Sequence, residues 1–177
     1  DEIFDANPII PRDATTMPPG LPMQIPIYYL PLWGTDFQSI PDSAFVNGPA
    51  HVGFSTSAYV ASTSGWLKNY RAYAGGRNRT GAEMVDYIAT NYSISPRLLM
   101  AVLEYQAGAL SNPELPTTKY ILGHKRRYYE TPYLQLIIVA NILNNGYYSW
   151  RAGDLTEFEL PDGSLYRPDP WQNAGSV

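Results

Sequence analysis

SPRLLMAVLEYQAG, residues 95–108, is the stretch whose reading decides the fold. Ser95 suits a helix N-cap, and Pro96 suits the first helical position, where its missing N–H costs nothing. Leu98, Leu99, Val102 and Leu103 recur at helical spacing, and Gly108 is a natural stop. The expectation is a short buried helix entered through a tight cap.

Further elements lie on both sides. Upstream, Thr80-Gly-Ala-Glu83 is a capping box opening a helix with Met84, Val85 and Ile88 on one face. Before it, Ser55 or Ser57 can cap a helix carrying Tyr59, Val60, Trp66, Leu67 and Tyr70, weakened at Gly65 and ended by Gly75 and Gly76. Downstream, a proline-containing loop covers roughly 109–130. Thr131-Pro132 then repeats the cap-plus-proline device and opens TPYLQLIIVANILNN, which Gly146 closes. Leu134, Ile137, Ile138, Asn141 and Ile142 fall on overlapping faces, so this helix is expected to be largely buried and Asn141 to need a partner. YYSWRAG comes next as a turn or short helix. LTEFEL-PDG-SLYRP, with 155–167 at its heart, reads as a β-hairpin. The order of elements predicts an α+β fold, mainly α: a helical body over 51–177 with a small hairpin.

Residues 1–50 differ in composition. Prolines at 8, 11, 18, 19, 22, 26, 31, 41 and 49 leave no room for a helix and predict an extended arm. Yet Met23 to Trp33, MQIPIYYLPLW, is apolar and aromatic. Ile25, Ile27, Tyr28, Leu30 and Trp33 are expected to anchor it in a groove of its own body or of a neighbouring chain.

Composition excludes several classes. The 177 residues are 16% charged, with a formal net charge of -4, and the longest basic cluster is Lys125-Arg126-Arg127, which argues against nucleic acid. There is no Cys, and with two His, His51 and His124, read as surface residues, neither a disulfide framework nor a metal site is expected. No cofactor is implied. No apolar run is long enough to span a membrane. The Asp-Glu start suits a mature product after signal-peptide removal, hence a secreted or cell-surface protein. Asn78-Arg-Thr and Asn91-Tyr-Ser match the N-glycosylation acceptor pattern.

The helix at 95–108 resembles the catalytic helix of the lysozyme-like superfamily, notably lytic transglycosylases and goose-type lysozymes. There a Pro opens a helix of the form P-x-L-L-x-A-x-I-x-x-E-S whose Glu is the general acid. Counted from Pro96, that Glu falls on Gln106, and Ala107 stands where the Ser would be. Residues 36–177 further resemble a lysozyme-like domain of secreted bacterial cell-wall proteins. The matching motifs lie at Leu103 to Gly108, Gly146 to Gly153 and Asn173 to Ser176. Such domains often precede LysM or metallopeptidase modules, and the stop at Val177 is where another helix would be expected.

The resemblance implies a peptidoglycan-facing groove without its acid. A Gln amide hydrogen-bonds a sugar but gives up no proton near neutral pH. Glu104 cannot simply substitute, because two helical residues subtend about 200° around the axis. Three function classes are open. The first is a glycan-binding pseudo-enzyme using Tyr105, Gln106, Asn141, Tyr147, Tyr148 and Trp150. The second is a structural subunit of an extracellular filament that self-assembles through its arm. The third is an active transglycosylase with a displaced acid: Glu104, Glu114 or Glu130. The competing reading of the Tyr147-Tyr148-x-Trp150 cluster is core beneath the hairpin.

Overall fold

The structure, a computed structural model, describes residues 2–13, 16, 20, 22–24 and 38–177. The chain divides into two compact units, Asp1–Gly34 and Thr35–Val177. The arm residues Ile25, Ile27, Tyr28, Leu30 and Trp33 lie outside the described residues.

The first unit opens with a short helix, α1 (Glu2–Ala6). The buried Asn7 side chain then joins two distant parts of this unit. Its amide donates to the Gln24 carbonyl at 2.6 Å, and its oxygen accepts from the Gln24 amide at 2.7 Å. That pair reproduces the two-way exchange of a sheet ladder. Arg12 pairs with Asp5.

The second unit is α+β and mainly α. Its described elements are α2 (Asp42–Phe45), α3 (Thr56–Ala61), β1 (Arg71–Ala74), β2 (Arg77–Thr80), α4 (Gly81–Tyr92), α5 (Pro96–Ala107), α6 (Pro132–Ala152), β3 (Phe158–Glu159) and β4 (Leu165–Tyr166). The capping devices form as the sequence predicts. Thr80 and Glu83 close a complete capping box on α4. The Ser95 and Thr131 hydroxyls accept from the amides of Leu98 and Leu134 at the starts of α5 and α6. Each satisfies a donor that the first helical turn would otherwise leave unpaired.

α4 is the hub of the core. It packs against α3, α5, α6 and the β1–β2 hairpin, and its Met84, Val85 and Ile88 are fully buried beside Leu99, Leu103 and Leu136. α5 and α6 also touch each other, but through a smaller contact. The paired aliphatic faces of α5 and α6 therefore meet largely by way of a third helix.

Five expectations about the elements need correction. The proline-rich stretch does carry helix, because α1 is short enough to end before the first proline, Pro8, and α2 to fit between Pro41 and Pro49. Phe45 of α2 belongs to the core, so packing into the body begins well before residue 51. The helix expected through residue 70 stops at Ala61. Trp66 and Leu67 instead bond through their amides to the carbonyls of Asn112 and Ala109, and the Trp66 indole donates to the Ala107 carbonyl at 2.9 Å. Gly75 and Gly76 do not cap a helix. They are the two-residue turn of the β1–β2 hairpin, with φ of 54° and 81°, in a register that pairs Ala74 with Arg77 and Arg71 with Thr80. Two consecutive positive φ values are what a tight hairpin turn demands.

The last correction is α6, which passes through Gly146 and ends at Gly153, so the Tyr-Tyr-x-Trp cluster is helical. The expected hairpin at 155–167 forms, with Phe158 opposite Tyr166. The chain then returns to α2. The Asn173 side-chain amide donates to the Ile40 carbonyl and to Asp42, and the Gly175 amide donates to Asp42 at 2.8 Å.

Candidate functional site

A recess of about 670 Å³ in the second unit is a groove between α5 and the entry to α3. That volume is within the range of small-ligand sites. Five of its lining residues come from α5: Arg97, Met100, Ala101, Glu104 and Tyr105. Their spacing of three, four, seven and eight residues from Arg97 is one helical stripe. It adjoins the stripe of Leu99 and Leu103 that enters the core. The rest of the wall is Phe54, Tyr59 and Leu110.

Aromatic rings dominate the groove. Phe54 and Tyr59 lie 5.8 Å apart at a tilt of 49°, and the Arg97 guanidinium sits 4.3 Å from the Phe54 ring centre. Tyr105 is 87% exposed, so its ring is free to take a partner.

Glu104 is the carboxylate of this groove, and its role is legible from its bonds. One oxygen accepts from the Leu110 amide at 2.7 Å and from the Ser111 amide at 3.2 Å. The Ser111 side chain and these two amides hold its carboxyl below the usual glutamate range. Each of these bonds favours the charged form. A general acid needs the opposite, a raised pKa that keeps the proton at neutral pH. Glu104 thus fixes the turn after α5 and stays ionised. Among the residues lining the groove it has no second carboxylate beside it, whereas glycosidic cleavage ordinarily uses two.

The other expected site residues scatter. Gln106 is exposed and outside the groove. Asn141 is exposed rather than buried, and its amide donates back to the Ile137 carbonyl at 3.0 Å within its own helix. Tyr147 is core: it is 3% exposed and stacks on Phe45 with ring centres 4.4 Å apart. Burial raises its phenol pKa, and the Arg151 guanidinium donates to its oxygen. Tyr148 is half-exposed with its ring edge-on to Tyr147 at 5.1 Å. Trp150 is half-buried and donates to the Gln172 carbonyl. Of the six, Tyr105 alone lines the groove.

Glu114 and Glu130 are exposed, and Glu130 pairs with Lys119 at 3.2 Å. Asn78 and Asn91 are both exposed, on β2 and at the end of α4. His51 is half-buried rather than on the surface, with neither ring nitrogen hydrogen-bonded. Among the described residues no group of His, Cys, Asp or Glu could hold a metal ion. Sequence reasoning missed Phe54, Tyr59 and Arg97. The signal for Arg97 was available in its helical spacing from Glu104 and Tyr105. Nothing local points from Phe54 and Tyr59 to α5.

Residues 38–177 match the family model described as LasA, N-terminal domain. The chain belongs to this family. The match spans the whole helical body, including the groove, and relates the domain to LasA and thus to a secreted bacterial protein. No curated protein matches the chain, and no solved structure does. Among the described residues no helix is long and apolar enough to cross a membrane.

Proposed function

We propose that this LasA-type domain is a non-catalytic, glycan-binding module of a secreted bacterial cell-wall protein, with its ligand in the α5 groove. One observation carries the reading: three aromatic rings line a recess whose carboxylate, Glu104, is an acceptor for its own backbone and not a proton donor. Sugars present C–H faces that pack on aromatic rings. The resemblance of the α5 sequence to a lysozyme-like catalytic helix supports peptidoglycan as the ligand class.

The test is retention of the purified chain on insoluble peptidoglycan, together with assay of the supernatant for soluble fragments. The expected result is retention without release, weakened about tenfold by Tyr105→Ala. Tyr105 is so exposed that the substitution should leave the melting temperature unchanged. Release of muropeptides, or retention indifferent to Tyr105, would overturn the proposal.

A further inference from the structure

The basic cluster Lys125-Arg126-Arg127 sits at the tip of the long loop between α5 and α6. Ile121 and Leu122 bury the approach to this tip in the core. Gln135, fully buried on α6, then clamps both sides of it. The Gln135 side-chain amide donates to the His124 carbonyl at 2.8 Å and to the Tyr129 carbonyl at 2.5 Å. Between those two carbonyls, Lys125, Arg126, Arg127 and Tyr128 are all exposed.

The tip is also preorganised. The Arg126 guanidinium lies 4.7 Å from the Tyr129 ring centre, and Arg127 lies 4.7 Å from that of Tyr128. Tyr128 is 72% exposed and has φ of 69°, a conformation unfavourable for a residue other than glycine. Among the described residues none of the three cations has an ion-pair partner. The neighbouring carboxylate, Glu130, is engaged by Lys119 and by the Tyr120 hydroxyl. Three contiguous positive charges thus stand uncompensated on a chain whose net charge is -4.

From this geometry we propose that Lys125–Tyr128 is a docking knuckle for an anionic phospholipid surface. A clamped tip that exposes every residue suits a flat partner, whereas a single oligosaccharide is held in a recess. Lys and Arg reach headgroup phosphates while a tyrosine ring settles at the water–lipid boundary. The inference is independent of the α5 groove.

Co-sedimentation of the full chain with vesicles tests it. Vesicles of phosphatidylcholine mixed equally with phosphatidylglycerol should retain the protein, those of phosphatidylcholine alone should not, and added salt should reverse the retention. Each cation should contribute about fivefold, so K125A/R126A/R127A should bind about 100-fold more weakly with an unchanged melting temperature. If the triple variant misfolds, R127A alone should still show the fivefold loss. Equal retention on neutral vesicles, retention of the triple variant, or no retention at all would overturn the proposal. Binding to soluble poly(glycerol phosphate) without binding to vesicles would also overturn it, in favour of a polymer partner.

Discussion

α5 and α6 begin with the same device and end by different rules. Each opens with a hydroxyl cap followed by proline, and each meets a glycine some twelve to fifteen residues on. α5 stops at its glycine, whereas α6 runs through Gly146 for nearly two more turns and stops at Gly153. Glycine is permissive in both places, so the residues beyond it decide. After Gly108 the chain must turn, because Ala109 and Asn112 pair with Leu67 and Trp66, and Glu104 binds the amides of Leu110 and Ser111. After Gly146 the next residue, Tyr147, reaches Phe45 when the helix continues. A helix ends where tertiary bonds reward leaving it, and a glycine only lowers the barrier to leaving.

The comparison can be broken most severely through the cores of the two helices. Leu99 on α5 and Leu136 on α6 are both completely buried. Leu99→Ala and Leu136→Ala should each destabilise by about 2–5 kcal/mol in denaturant titrations. A loss below about 1 kcal/mol at either would mean that the helix is not part of the common core.

The two glycines provide the sharper contrast. Gly108 has φ of 58°, and an added Cβ would stand 3.0 Å from that of Asn112. Gly108→Ala should therefore cost about 1–2 kcal/mol. Gly146 sits inside α6 with open space where a Cβ would go. Gly146→Ala should stabilise by about 0.5–1 kcal/mol. Equal effects at the two positions, read as melting temperatures, would refute the claim that one is a stop and the other a passenger.

Acidification should have a smaller effect. The Glu104 pKa is lowered by its Ser111 and Leu110 bonds, so its folded value lies below its unfolded one. The stabilisation is therefore complete above the ordinary glutamate value of 4.5 and is lost as pH falls through the lowered one. Glu83 and Asp162 shift in the same direction, each through bonds within its own cap or turn. The Leu110 and Ser111 amides should begin to exchange faster in that acid window. Glu104→Gln should remove this dependence at a cost of about 1 kcal/mol. Slow exchange of both amides throughout the window would contradict the assigned role.

Least of all is expected from Gln106→Glu. Restoring a carboxyl at the acid position of a lysozyme-like helix would create an exposed side chain outside the groove. No release of soluble muropeptides should result. Detectable turnover would show that Gln106 reaches a glycan site after all.

The sequence by itself determined where the three long helices, α4, α5 and α6, begin. Thr80, Ser95 and Thr131 are local signals, because a capping hydroxyl needs only the next three residues to act. The same holds for the 155–167 hairpin and for the capping box at Glu83. Tertiary structure decided helix ends and the membership of the site. The stop at Ala61 depends on Trp66 pairing with a segment more than forty residues away. The helical fate of Tyr147 depends on Phe45, which composition places in the arm. The α5 groove joins Phe54 and Tyr59 to residues some forty positions later, and no periodicity links them. Short-range hydrogen bonds are written into neighbouring residues, whereas burial and grooves arise when distant segments meet.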